Sequence, residues 1–193
     1  MTEIAVIQEA FPLEIREEIK SLLTKFDIET MHSTKGFEKA VVGEGIIDIP
    51  SRIYYRPPYS LNDSKFTQTE KEILNCIFSR HSDGYIRQKA ILNIISSDKE
   101  WTIPYVMRII GEYVIEILID INKHFERINK SNLVLFIQQN PAFYNRIHSR
   151  VGSYWDCYYR YQFPEKLKGI KVPEEQRYVG FQLLDKIDRT ISL

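Results

Sequence analysis

Helical periodicity occupies almost everything after Thr67, and it constrains this chain more than any other feature. Apolar residues recur there at spacings of three and four, the mark of side chains sharing one helix face. The longest register runs through Ile103, Val106, Met107, Ile110, Val114, Ile117, Leu118, Ile121 and Phe125. It passes through Gly111 unbroken, so the spacing predicts one helix from about Thr102 to Ile128. Ile109, Ile115 and Ile119 fall off the stripe, and a helix apolar on more than one side is expected to be central and covered by neighbours.

The flanking signals are helical too. Thr67 followed three residues later by Glu70 is a capping-box pattern that opens a helix to about Arg80. His81-Ser82-Asp83-Gly84 makes a tight turn before a helix over Tyr85 to Ser96. Asn140-Pro141 stops a short helix over Leu133 to Gln138. A longer helix follows from Ala142 to Gln162, closed by Pro164. Pro173 opens a last one, with Val179, Leu183, Leu184, Ile187 and Ile191 facing inward.

Before Thr67 the pattern changes. Pro12 suits a first helical position, because its missing N–H has no partner there. Ile15, Ile19, Leu22, Leu23 and Phe26 continue at helical spacing. Glu38 to Val42 and Ile46 to Ile49 flank Gly43-Glu44-Gly45 as a hairpin. Ser51 to Arg56 is expected as a third strand, with Arg52, Tyr54 and Arg56 on one face and Ile53 and Tyr55 on the other. The expected fold is mainly α with a small β-hairpin or meander near the N-terminus. With only 8 Gly and 8 Pro there is little linker material. One domain over 1–193 is expected: a helix and β segment (1–62), a helical core (63–163), then a connector and C-terminal helix (164–193).

Composition narrows the function classes. Lys+Arg 26 balance Asp+Glu 26. Phosphate neutralisation supplies most nucleic-acid affinity, so a chain without basic excess is not expected to be a general nucleic-acid binder. Membrane-surface binding through basic residues loses support for the same reason. The most apolar stretch, Ile109 to Ile121, is interrupted by Glu112, Glu116 and Asp120, and no membrane span is expected. The first residues lack a basic and an apolar leader region, so a cytoplasmic location is expected. The abundance of isoleucine points to an AT-rich, bacterial genome. Cys76 and Cys157 match no metal or redox spacing and are expected to be small buried hydrophobes.

The segment Asp83-Gly84-Tyr85-Ile86-Arg87-Gln88-Lys89-Ala90-Ile91 resembles the second helix of a HEAT repeat, in which an Asp precedes an Ile-Arg or Val-Arg pair, then Ala and an aliphatic residue. The helix before it, Glu70 to Ser79, and the segment after it, Trp101 to Gly111, have the lengths such an array needs. The resemblance implies HEAT-like packing of several helices and a scaffold that presents a surface to a partner.

Glu112, Glu116 and Asp120 recur every fourth residue, with His124 one step further. Half of a metal site would look like this, but the paired Glu-x-x-His spacing of di-iron bundles is missing. A solvated or ion-paired face is expected, with no metal and no cofactor. Around Phe143 to Phe163, arginines alternate with aromatics. A helical wheel sets Phe143, Ile147, Val151, Tyr154, Trp155 and Tyr158 on a core face. Arg146, Arg150, Ser153, Cys157 and Arg160 fall opposite. His81, His32 and His148 have no acid or nucleophile at a matching spacing, and no catalytic residue is assigned. Arg87 is the one charge on an otherwise apolar face, expected to be buried and ion-paired with Asp83, Glu112 or Glu116.

These readings favour a non-enzymatic interaction domain that docks a protein partner or its own copy. The alternative is nucleic-acid association through the candidate face of Arg146, Arg150 and Arg160 with Arg52 and Arg56. An enzyme assembled from residues distant in sequence is the third possibility.

Overall fold

The computed structural model describes residues 2–25, 36–58, 60–61, 63–164 and 172–192. Phe26, His32 and most of the connector after Pro164 lie outside them. The described chain is mainly helical, with one two-stranded sheet. Among these residues no helix is long and apolar enough to cross a membrane.

The first helix, α1 (Glu3–Glu9), is capped by the Thr2 hydroxyl, which accepts from the Ala5 N–H. Only Val6 and Ile7 of α1 are buried, too few apolar positions to give a sequence signal. Pro12 does not begin an α-helix. It precedes a 3₁₀ turn, Leu13–Ile15, and α2 spans Arg16–Lys25.

Strands β1 (Phe37–Val42) and β2 (Gly45–Pro50) pair antiparallel, Glu38 opposite Ile49 and Val42 opposite Gly45. The connection is the two residues Gly43-Glu44, with Gly43 at φ +57°, a conformation that suits a tight hairpin and that side chains resist. The expected third strand does not join the sheet. Instead Ile53 bridges to His81, its N–H donating to the Arg80 carbonyl while Ser82 donates back. The alternation still holds: Ile53 and Tyr55 are buried, Tyr54 and Arg56 exposed. The turn ahead of Asp83 therefore takes the backbone pairing that a third strand would have offered to β2.

The Thr67–Glu70 capping box opens α3 (Gln68–Phe78). Asp83 caps α4 (Gly84–Ile94), and α3 packs on α4. The long helix expected over Thr102 to Ile128 is broken. A helix α5 (Ile103–Ile110) ends at Gly111, and α6 (Ile115–His124) starts after Val114, which has extended backbone. The apolar register misled here because a turn of four residues, 111–114, leaves the inward stripe in phase on both sides. Gly111 also sits hard against α8, where a Cβ would come within 3.0 Å of Ile147 Cδ1 and 3.2 Å of Arg150 Cδ. The off-stripe residues divide accordingly: Ile109 is wholly buried in α5, while Ile119 is exposed on α6.

Next come α7 (Lys130–Gln139), capped by Asn129, and α8 (Pro141–Tyr154), with proline in its first turn. A π-turn over Trp155–Tyr159 follows, and α9 (Val179–Ile191) packs on α6 and α8. One hydrophobic cluster runs from Ile7 through α3 to α8 and ends at Ile187. The hairpin is held to the helices by Asn140. Its amide accepts from the Val41 N–H at 2.7 Å and donates to the Val41 carbonyl at 2.9 Å, acting as a strand partner for the outer edge of β1. That contact sets Glu38 beneath α8.

Candidate docking face

Two buried carboxylates organise the charged centre. Glu38 lies on the core side of β1 with Ala40 and Val42. Its Oε1 accepts from Arg146 Nε at 2.9 Å and its Oε2 from Arg150 Nη1 at 2.8 Å. Arg108 Nε, on α5, is 2.6 Å from Oε2. Glu112 lies in the α5–α6 break rather than on a helix face. It accepts from Arg52 Nη2 at 2.8 Å and Arg80 Nη2 at 3.2 Å, and lies 4.0 Å from Arg87. Burial pushes both carboxyls up, but the surrounding guanidinium groups outweigh it, so each is held below the ordinary carboxylate range.

The arginines feel the opposite balance. Arg80 is wholly buried, and burial together with Arg108 lowers its pKa to about 9, which leaves it cationic at neutral pH. Arg87, 1% exposed, donates through Nη1 to the His81 carbonyl at 2.8 Å and the Ser82 carbonyl at 2.9 Å. Asp83 does not pair with it: its carboxylate accepts from the Tyr85 N–H as the cap of α4, since a residue just ahead of a helix faces the unpaired N–H groups of the first turn. Glu116 is exposed on α6, cut off from Glu112 by the break at Gly111. The expected acidic stripe is thus split, and Asp120 accepts from Gln88.

His81 is buried and neutral by geometry. Its Nδ1 accepts from the Asp83 N–H, so Nε2 carries the proton and donates to the Tyr55 carbonyl, each at 2.9 Å. His148 packs edge-on against Tyr144. Cys76 is buried as expected, but Cys157 is exposed. Among the described residues no group of three or more His, Cys, Asp or Glu side chains is placed to hold a metal ion.

The aromatic segment departs from its expected split. On α8, Arg146, Arg150 and Tyr154 follow one another at four-residue spacing, so the two arginines and the half-buried Tyr154 share one row rather than lying on opposite faces. The π-turn then shifts the register by one residue. Tyr159 takes the inward place, stacking on Tyr178 at 5.1 Å, and Trp155 packs on Phe181. Tyr158 is left 64% exposed, where a straight helix would have buried it. Tyr113, from the α5–α6 break, lies 5.8 Å from the Tyr154 ring and 6.0 Å from the Tyr158 ring. Its carbonyl accepts from the Tyr159 hydroxyl at 2.5 Å, which ties this ridge of three tyrosines to the core.

Arg160 pairs locally with Asp156. Arg56 is exposed and makes no ion pair among the described residues. Sequence reasoning missed Arg80, Arg108 and Glu38. The criterion that found Arg87, a lone charge on an apolar face, applies to Arg108 between Met107 and Ile109, and to Glu38 in line with Ala40 and Val42. No protein-family model, no curated protein and no solved structure matches the chain.

Proposed function

We propose that the protein is a non-enzymatic docking domain, bacterial and cytoplasmic, whose HEAT-like helical packing serves as a scaffold for a protein partner. The observation that carries this reading is the ridge of Tyr113, Tyr154 and Tyr158, in which Tyr113 and Tyr158 are exposed and Tyr154 is half-buried against both. Tyrosine and arginine are the residues that dominate interface energetics, because they offer large contact area with a polar tip and little entropy to lose. The Tyr159 hydroxyl holds the Tyr113 carbonyl from beneath, which helps preorganise the ridge for that role. The cleft between the starts of α4 and α6 is lined by Asp83, Gly84, Tyr85, Gln88, Val114 and Glu116, which offers no nucleophile paired with a base. A nucleic-acid role is less favoured, because the chain carries no basic excess and Arg160 is offset by Asp156.

The test is affinity capture from the native cell with the parent chain and with a Tyr113→Ser/Tyr158→Ser double variant of unchanged circular dichroism. A protein recovered with the parent and reduced about tenfold or more with the variant is expected. Equal recovery by both forms would remove the ridge from the reading. Recovery that depends on RNA or DNA would replace it.

A further inference from the structure

Resting on the docking reading above, we infer that this face takes a short acidic peptide segment, its carboxylates on Arg146 and Arg150 and an apolar side chain on the tyrosine ridge. The first observation is an asymmetry of exposure. The Arg146 side chain is 48% exposed while that of its partner Glu38 is 7% exposed, and Arg150 is 29% exposed on the same carboxylate. Solvent therefore meets the guanidinium groups, and the neutralising charge is beneath them. Arg108 adds a third cation to the one carboxylate.

The second observation is the hydrogen-bond geometry. Arg146 gives Glu38 its Nε, and among the described residues its two Nη groups make no hydrogen bond within the protein. A guanidinium has five N–H donors in a planar fork. Glu38 fixes the plane of that fork and leaves its outer part to an incoming carboxylate, so less side-chain entropy is lost on binding.

The third observation selects a peptide over a nucleic acid. Positive charge is confined to one end of the row. At the tyrosine end Glu116 is exposed three residues after Tyr113, and exposed Asp156 offsets Arg160. A phosphate backbone is uniformly charged and would meet those carboxylates. A segment acidic at one end and apolar at the other would not. At 1.5 Å per helical residue, Arg146 and Arg150 lie about 12 and 6 Å from Tyr154 along the helix. An extended chain covers that in roughly two to four residues.

Selection of a random peptide library against the parent chain tests this, followed by fluorescence anisotropy of the enriched peptide and of an oligouridine. The expected peptides carry Asp or Glu two to four residues from a Phe, Tyr or Leu. Their affinity should fall about tenfold in Arg146→Gln, in Tyr158→Ser and on raising salt, with circular dichroism unchanged. Enriched peptides that are neutral or basic but still need Tyr158 would overturn the acidic inference and leave the docking reading standing. If no enriched peptide needs Tyr158, both fall. Tighter binding of the oligouridine would overturn both in favour of nucleic acid.

Discussion

The carboxylate of Glu112 accepts from Arg52 and Arg80 and lies 4.0 Å from Arg87, so one acidic side chain ties the β2–α3 segment, the α3–α4 turn and the α5–α6 break together. Removing a member of such a buried set leaves polar groups without partners. Arg87→Ala is expected to cost roughly 3–5 kcal/mol in chemical denaturation, the range for orphaning a buried charge. Arg87→Lys should recover little, because an ammonium does not reproduce a planar fork. A loss within about 0.5 kcal/mol would mean the residue does no structural work. The same centre sets the acid response. Glu38 and Glu112 are held below their ordinary value of 4.5, so the stability they contribute is present above that pH and lost as pH falls through their lowered values. His81, lowered from 6.5 chiefly by burial, acts in the same direction at higher pH. Stability should therefore decline below about pH 6.5 and fall more steeply below about pH 4.5. In Glu112→Gln the second step should flatten, and denaturation midpoints measured between neutral and acid pH check both.

At the scale of elements, the departures from helical regularity position the face. The α5–α6 break brings out Tyr113, and the π-turn after α8 turns Tyr158 outward while Tyr159 and Trp155 pack on Tyr178 and Phe181. Gly180, in the first turn of α9, is what allows that packing. A Cβ there would come 2.5 Å from Tyr178 Cε1 and 2.9 Å from Val151 Cγ1. Alanine is the better helix former by about 1 kcal/mol, but overpacking a close contact costs about 1–3 kcal/mol. Gly180→Ala is accordingly expected to lower stability by about 1 kcal/mol, read by thermal or chemical denaturation; a stabilised variant would show that the Tyr178 ring yields easily. The start of α3 was legible because its signal is local, Thr67 and Glu70 acting within a turn of themselves, whereas Asp83, expected to pair with Arg87, caps α4 instead. The break at Gly111 was not legible, because an apolar register can stay in phase across a turn.

For the molecule as a whole, a single hydrophobic cluster joins α1 to α9, and the hairpin is fastened to it through Asn140. Trp101 and Trp155 lie on different helical segments of this cluster, so they report on separate parts of it. One cooperative transition is expected, with tryptophan fluorescence and far-UV circular dichroism coinciding across a denaturant titration. Two separated transitions would show that the N-terminal segment or the C-terminal helix unfolds independently.

The sequence by itself determined that this chain is mainly helical, where its hairpin lies, that Thr67 and Glu70 open α3, and that Arg87 belongs inside. Those outcomes follow from periodicity and from side chains acting on their own backbone, and both are written in consecutive residues. Only the tertiary structure decided that Glu38 draws in Arg108, Arg146 and Arg150, that Glu112 sits in a turn among Arg52, Arg80 and Arg87, and that Tyr158 faces solvent. Each of those depends on segments brought together across dozens of residues, or on a one-residue change of helical register. Spacing along the chain carries neither, because a charge finds its partner by distance in space.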